Sequence, residues 1–365
     1  MITENLLLEE ITLNSRLSKF REALKEKNIE AALICKPENR RYLSGFTGSA
    51  GYVLITAEKA YFITDFRYIE QAKQECIGYE IIEHHQKQPL FTILNDLRLE
   101  NLGFEEKYTT YSEYMELQKK LTKTKLFPLG EITERLRIIK DPEEIDLIRK
   151  AASIADEAFQ HICHYIKPGL TEKEIAIELE MLMKKKGASA LSFEPIVASG
   201  IRSALPHGVA TDKKLEKGDL LTLDFGCIYN GYCSDMTRTV ILGKANQKQK
   251  EVYDIVLHAQ MSALESVRPH ILSKEVDKIA RDIITQKGYG DHFGHGLGHG
   301  VGLEIHEAPR VSPSGEEQLE QNMVITVEPG IYVPGFGGIR IEDLVVITEK
   351  GKEILSKSSK QLIEL

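Results

Sequence analysis

Between Leu220 and Val240 the chain has little freedom in how it folds. Two strand-like runs, Leu220 to Phe225 and Tyr232 to Val240, are joined through Tyr229-Asn230-Gly231. Asn-Gly is the strongest short hairpin signal, because a type I′ turn needs positive φ at both central residues. A two-residue loop there pairs Asp224 with Thr237 and Asp235 with Gly226, which makes the two aspartates diagonal neighbours on one face. Like charges so close repel unless a cation neutralises them, an arrangement that favours a metal site. Two solvated aspartates on an exposed strand are the plainer alternative.

From Phe293 to Gly302 every second residue is a glycine, a pattern no stable helix tolerates. The run is expected to be extended or irregular, with His295 and His299, four residues apart, on one face. The missing side chains between them let a ligand or metal approach the backbone; a His/Gly surface loop is the plainer alternative. The run holds no GxGxxG, and the chain has no Walker A or HExxH spacing. Met323 to Glu328 then reads as an apolar strand ending in Glu-Pro-Gly. Gly337 to Asp343 reads as another, with Arg340 and Glu342 sharing one face and Ile339 and Ile341 the other. A glutamate closing a buried strand is costly unless paired or coordinated, and Glu328 stands at that place. A salt bridge to Arg340 is the plainer reading for either glutamate.

At 365 residues the chain exceeds what one hydrophobic core usually supports, roughly 250 to 300 residues, so two domains are expected. Residues 1–130 read as a compact α/β domain. Helical spacing marks 15–27, strands are expected at Ala31 to Cys35, Gly51 to Thr56, Ala60 to Thr64 and Leu102 to Glu105, and helices at 66–75 and 111–121. This part offers no clustered chemistry, and its expected role is to cover a site or make a subunit contact. Residues 131–140 read as a linker. Asp141-Pro142-Glu143-Glu144 supplies an N-cap, a first-turn proline and a capping-box glutamate for a long helix. With further helices over 171–186, 246–267 and 273–287 among β-rich segments, residues 141–365 form an α+β second domain.

The net charge of -8, from 47 basic and 55 acidic residues, provides no electrostatic footprint for nucleic acid or an anionic membrane. Met1 to Arg16 lacks the basic flank and apolar core of a signal peptide, and no uncharged apolar run approaches the ~18 residues of a bilayer span. A cytoplasmic location is expected. The 5 cysteines are scattered without a CxxC pair and read as reduced, small hydrophobes.

In chain order the candidates are Asp224, Asp235, His299, Glu328 and Glu342, with His207 in Leu205-Pro206-His207-Gly208 and His306 seven residues beyond His299. The segments LTLDFG, SDMTRT, GHGLGHGVGLEIHE, VEPGIY and GIRIED closely resemble the pita-bread metallopeptidases over residues 190–348. The resemblance is above all to the Xaa-Pro dipeptidases (prolidases) and aminopeptidase P, and residues 1–130 resemble their N-terminal domain more weakly. It implies a pita-bread catalytic domain behind a smaller α/β creatinase/prolidase-like domain, a homodimer, and short peptide substrates with proline at the second position. It also implies two divalent ions, with Asp235 and Glu342 between them, Asp224 on one, and His299 with Glu328 on the other. By the same resemblance Glu328 shuttles protons, His207 and His306 hydrogen-bond the substrate carbonyl and the developing oxyanion, His295 lines the proline pocket, and Arg340 contacts the substrate. Four carboxylates and one imidazole form a hard, oxygen-rich set that suits Mn2+, with Co2+ or Zn2+ as alternatives. Arg310 favours dipeptides, whose terminal carboxylate lies on the proline itself and can take a bidentate contact. The alternatives are aminopeptidase P acting on longer peptides, methionine aminopeptidase, which typically lacks the large N-terminal domain, metal-independent creatinase, and a non-enzymatic peptide-binding homologue.

Overall fold

A computed structural model describes residues 2–365, with side chains from residue 11 onward; the expectation placed on Met1 lies outside them. The chain forms two compact units, Met1–Arg137 and Ile138–Leu365.

The first unit is built on a six-stranded sheet in the order Glu80–Glu83, Ala60–Thr64, Tyr52–Thr56, Ala31–Ile34, Asn101–Phe104, Lys125–Pro128. Tyr52–Thr56 is antiparallel to both neighbours, and the other pairings are parallel. Ala31–Ile34 is buried at every position, as a strand covered on both faces must be, so it reads as a continuous apolar run rather than an alternation. The opening helix reaches back to Ile2, beyond the span the 15–27 spacing marks. The stretch 131–140 contains a helix, Ile132–Ile138, whose buried Arg137 donates to Asn39 Oδ1 at 2.7 Å.

In the second unit two helix pairs each cover a sheet. Pro142–Tyr165 begins at Asp141 with a reciprocal Asp141/Glu144 capping box. With Glu172–Lys185 it buries Ala151, Ala155, Ile162, Ile175 and Leu179 against Leu221, Leu223, Phe225, Met236 and Val240. The second pair, Gln247–Ser266 and Ser273–Gln286, buries Val252, Val256, Val276, Ala280 and Ile284 against Ile325, Val327, Val345 and Ile347. Because strand side chains alternate between faces, Thr222, Asp224, Thr326 and Glu328 point away from the helices that cover their own sheets. No helix among the described residues is long and apolar enough to cross a membrane.

Candidate metal centre

The hairpin register read from Asn230-Gly231 is the one observed. Asn230 and Gly231 have φ of 43° and 80°, Tyr229 pairs with Tyr232, and Asp224 pairs with Thr237. The two arms are nevertheless interrupted. Leu220–Phe225 and Met236–Ile241 lie in one sheet, Cys227–Tyr229 and Tyr232–Cys233 in another. At the break, a Cβ on Gly226 would stand 1.8 Å from Ser234 O, a distance only glycine permits. Asp235 therefore sits just outside the ladder.

Among the described residues, Asp235, His299 and Glu342 each place a ligand-type atom within 4.8 Å of the others. Asp235 and Glu342 are buried at 5% and 1% exposure. Glu342 Oε2 accepts from Thr237 Oγ1 at 2.7 Å, while Glu342 Oε1 and Asp224 Oδ1 are buried with no hydrogen-bond partner among the described residues. Such orphaned oxygens are rare because each forfeits its solvation without return. Burial, then the charges of Glu342, Asp224 and Glu328, push the Asp235 carboxyl well above its ordinary value. Glu342 rises through burial and then Glu328 and Asp224. Burial also pushes Glu328 up to about 8, with Arg340 pulling the other way and Asp224 adding to the rise.

His299, on the short strand Gly298–Gly300, is held by its backbone N–H, which donates to Thr326 Oγ1 at 3.0 Å; that hydroxyl donates to Glu328 Oε1 at 3.2 Å. His299 Nδ1 lies 3.0 Å from Gly300 O. A carbonyl only accepts, so Nδ1 carries the hydrogen and Nε2 a lone pair. Burial holds this ring's pKa down at about 4, so the lone pair persists at neutral pH. Nε2 stands 3.5 Å from Asp235 Oδ2 and 3.4 Å from Glu328 Oε1. A lone pair facing two carboxylate oxygens is repulsive unless a cation lies among them, so the donor set fits a divalent metal.

The remaining expected residues separate by exposure. Arg340 is 3% exposed and committed to the protein. Its Nη2 donates to Asp224 Oδ2 at 2.5 Å, Nη1 to Tyr332 Oη at 2.6 Å and Pro206 O at 3.2 Å, and Nε to Thr237 Oγ1 at 3.1 Å. The guanidinium thus pairs with Asp224 rather than with either glutamate, because Thr237 takes Nε and stands opposite Asp224 in the ladder. His295 Nε2 meets Tyr332 Oη at 2.9 Å, and its ring lies edge-on to Phe293 at 5.1 Å. Burial holds His295 at about 4. His207 and His306 are exposed; the His306 ring is 4.4 Å from that of His299, and Pro206, before His207, is the residue tied to Arg340. Arg310 is exposed and lies directly across the strand pair from His299. Thr326 and Tyr332 escaped the sequence reading. The sequence signal for Tyr332 is its place in VEPGIY, and the hairpin register sets Thr237 opposite Asp224 without giving it a role.

The second unit matches the model of metallopeptidase family M24 over residues 146–349, and residues 16–139 match the creatinase/prolidase N-terminal domain. The uncharacterized peptidase YqhT of Bacillus subtilis is 48% identical over 352 residues, covering 96% of this chain and 100% of that one. A solved structure, Xaa-Pro dipeptidase from Bacillus anthracis, superposes with a TM-score of 0.94 at 46% identity, over 97% of this chain and 100% of the other. X-Pro aminopeptidase from Thermotoga maritima superposes with a TM-score of 0.88 at 41% identity, over 94% and 100%. Since the buried acidic centre falls inside a match that spans most of the second unit and relatives of this identity are covered end to end, the chain belongs to metallopeptidase family M24 and is a hydrolase with a creatinase/prolidase N-terminal domain.

Proposed function

We propose that the chain hydrolyses the bond between an N-terminal residue and proline, preferring dipeptides, with two divalent metal ions held by Asp224, Asp235, His299, Glu328 and Glu342. One observation carries the reading: Asp235, His299 and Glu342 offer ligand atoms within 4.8 Å of one another in a buried acidic setting where Arg340 pairs with Asp224 and oxygens of Asp224 and Glu342 stay unpartnered among the described residues. The names of the superposed relatives support the Xaa-Pro part. Divalent ions at such a site supply Lewis acidity toward the scissile carbonyl and acidify water. Mn2+ is the ion the oxygen-rich set suits, with Co2+ or Zn2+ able to substitute.

The chain's own groups perform the rest. Glu328, at the edge of the acidic set and hydrogen-bonded by Thr326, is suited to carry a proton to the leaving nitrogen. His207 and His306, exposed beside the buried set, donate to the substrate carbonyl and the developing oxyanion. His295, with Phe293 and Tyr332 against its ring, forms a flat wall for a pyrrolidine ring that has no N–H to satisfy. Arg340 acts by holding Asp224 and Tyr332 in place. Arg310 favours the dipeptide over the aminopeptidase reading, because an exposed guanidinium opposite His299 can take a carboxylate borne on the proline. A cytoplasmic homodimer with residues 1–130 as an accessory domain, 131–140 as linker and 141–365 as the catalytic part completes the proposal.

The test is Mn2+-reconstituted protein assayed on an Xaa-Pro dipeptide, an Xaa-Pro-Yaa tripeptide, a methionyl peptide lacking proline, and creatine. The dipeptide should be cleaved fastest, and a chelator should abolish cleavage until Mn2+ is restored. Full activity after chelation, or preference for the methionyl peptide, would sink the reading.

A further inference from the structure

The Ser273–Gln286 helix buries Val276, Ala280 and Ile284, and beside them Asp277, which is only 1% exposed. A carboxylate so buried is costly unless its oxygens are bonded. Arg281, one turn on, donates Nε to Asp277 Oδ2 and Nη2 to Oδ1, both at 2.8 Å. The same guanidinium also donates Nη1 to Phe293 O at 2.9 Å and Nη2 to His295 O at 2.8 Å, and it stacks over the Phe293 ring at 4.2 Å. Asp277 Oδ1 accepts from Leu297 N at 3.0 Å. Leu297 O in turn accepts from the backbone N–H of Glu328 at 2.8 Å.

These bonds converge on a segment that is otherwise held by its buried Phe293 and Leu297 side chains, by His295 against Tyr332, and by the Glu328 N–H on Leu297 O. Residues 293–297 belong to no strand or helix, and glycines at 294 and 296 leave the backbone its full conformational freedom. An exposed i,i+4 ion pair on a helix contributes a few tenths of a kcal/mol. This pair is buried on the acid side, and its remaining capacity is directed at three backbone groups of the segment that leads into His299.

We propose that Asp277 and Arg281 are a positioning pair for the metal centre and the proline pocket: Arg281 sets the place of His295, and Asp277, through the Leu297 peptide, sets the approach of His299 and Glu328. The inference rests on the roles proposed above for His295 and His299. Neither residue touches substrate or metal, and each acts through the 293–297 backbone.

Three readouts test it. Arg281→Lys keeps the charge but loses the planar fork, and should raise KM for an Xaa-Pro dipeptide about tenfold while leaving Mn2+ affinity within about twofold, on the scale of one lost hydrogen bond. Asp277→Asn should weaken Mn2+ binding to metal-free protein about tenfold by calorimetry. In both variants amide exchange at residues 293–299 should quicken while the Pro142–Tyr165 helix stays protected. A lowered melting temperature with unchanged KM, unchanged Mn2+ affinity and uniformly faster exchange would make the pair merely structural and overturn the proposal. His299→Ala separates the two readings: if it leaves Mn2+ binding intact, the metal assignment fails, while exchange at 293–299 in Arg281→Lys still decides the pair. If Asp277→Asn does not fold, Arg281→Lys alone decides it.

Discussion

Thr237 controls one of the proposed ligands without touching a metal, and its hydroxyl can be removed almost isosterically. It is fully buried, donates Oγ1 to Glu342 Oε2 at 2.7 Å, and accepts from Arg340 Nε at 3.1 Å. Thr237→Val keeps the shape and the backbone bond from Glu342 N to Thr237 O, but removes both side-chain bonds to charged groups. Each such bond contributes about 1.5–3 kcal/mol, so a stability loss of roughly 3 kcal/mol is expected. The freed Glu342 carboxylate should weaken Mn2+ binding by about 10- to 100-fold, the usual effect of removing a group that orients a ligand. The sign of the pH dependence follows. Thr237 holds down a Glu342 pKa that burial raises, so its loss raises that pKa further, and Mn2+ must displace a more tightly held proton. The affinity deficit should therefore grow as pH falls. Calorimetric titration of Mn2+ into metal-free wild type, Thr237→Val and Thr237→Ser at two pH values reads all of this, with serine restoring most of the affinity. A folded valine variant with wild-type affinity, or a deficit that grows toward high pH, would refute the reasoning.

Glu328→Gln should leave the fold intact but remove turnover, since it changes one ligand and one proton acceptor; near-normal turnover would cancel the shuttle role. In metal-free protein, Glu328 is raised to about 8 from an unperturbed value of about 4.3. A raised carboxyl contributes stability that is present at low pH and lost as pH climbs through that window. His295 and His299, held at about 4, act in the opposite sense up to their unfolded value of about 6.5, so the melting temperature of metal-free protein should fall between about pH 6.5 and about 8, and a flat or rising profile there would contradict the shift. Arg310→Met should raise KM for an Xaa-Pro dipeptide by one to two orders of magnitude, as for a lost charged hydrogen bond of about 1.5–3 kcal/mol, and leave a tripeptide nearly unaffected. Equal losses on both substrates would overturn the dipeptide preference and leave the metal assignment standing.

What the sequence could disclose was whatever short-range chemistry decides. Asn230-Gly231 set a register that survives even the break at Gly226, and Asp141-Pro142-Glu143-Glu144 marked a helix start to the residue. Where distant groups decide, the reading fell short. The 293–302 run is strand only at Gly298–Gly300, because Asp277 and Arg281 hold the backbone before it. The even-spacing argument for His295 and His299 therefore had no continuous strand to act on. The pattern of Gly337 to Asp343 predicts one strand, but the segment divides into Gly337–Arg340 and Asp343–Thr348. Glu342 N leaves the hairpin to donate to Thr237 O at 3.1 Å, on a strand a hundred residues earlier. The Arg340–Asp224 pair was hidden for the same reason, since it depends on three strands meeting.

The break after Arg340 turns two adjacent carboxylates to opposite fates, and the contrast yields the sharpest test of the metal centre. Asp343, fully buried, faces the helices. Its Oδ1 accepts from Arg238 Nη2 at 2.8 Å, and its Oδ2 from Gln260 Nε2 at 2.9 Å and Lys360 Nζ at 2.5 Å. Glu342, equally buried, faces Asp235 and His299 with one oxygen unpartnered among the described residues. The fold evidently can neutralise a buried carboxylate at this point, and does so one residue later. Removing the charge should then act with opposite sign at the two positions. Asp343→Asn leaves Arg238 and Lys360 facing a lost partner and should destabilise the protein by about 3–5 kcal/mol, the cost of breaking a buried pair. Glu342→Gln spares the folded state the cost of burying that carboxylate or of protonating it, so it should raise the melting temperature of metal-free protein at neutral pH while abolishing the further rise that Mn2+ gives the wild type. Both melting temperatures falling alike in metal-free protein would mean that Glu342 is an ordinary structural acid and that the cation its surroundings call for is not a metal.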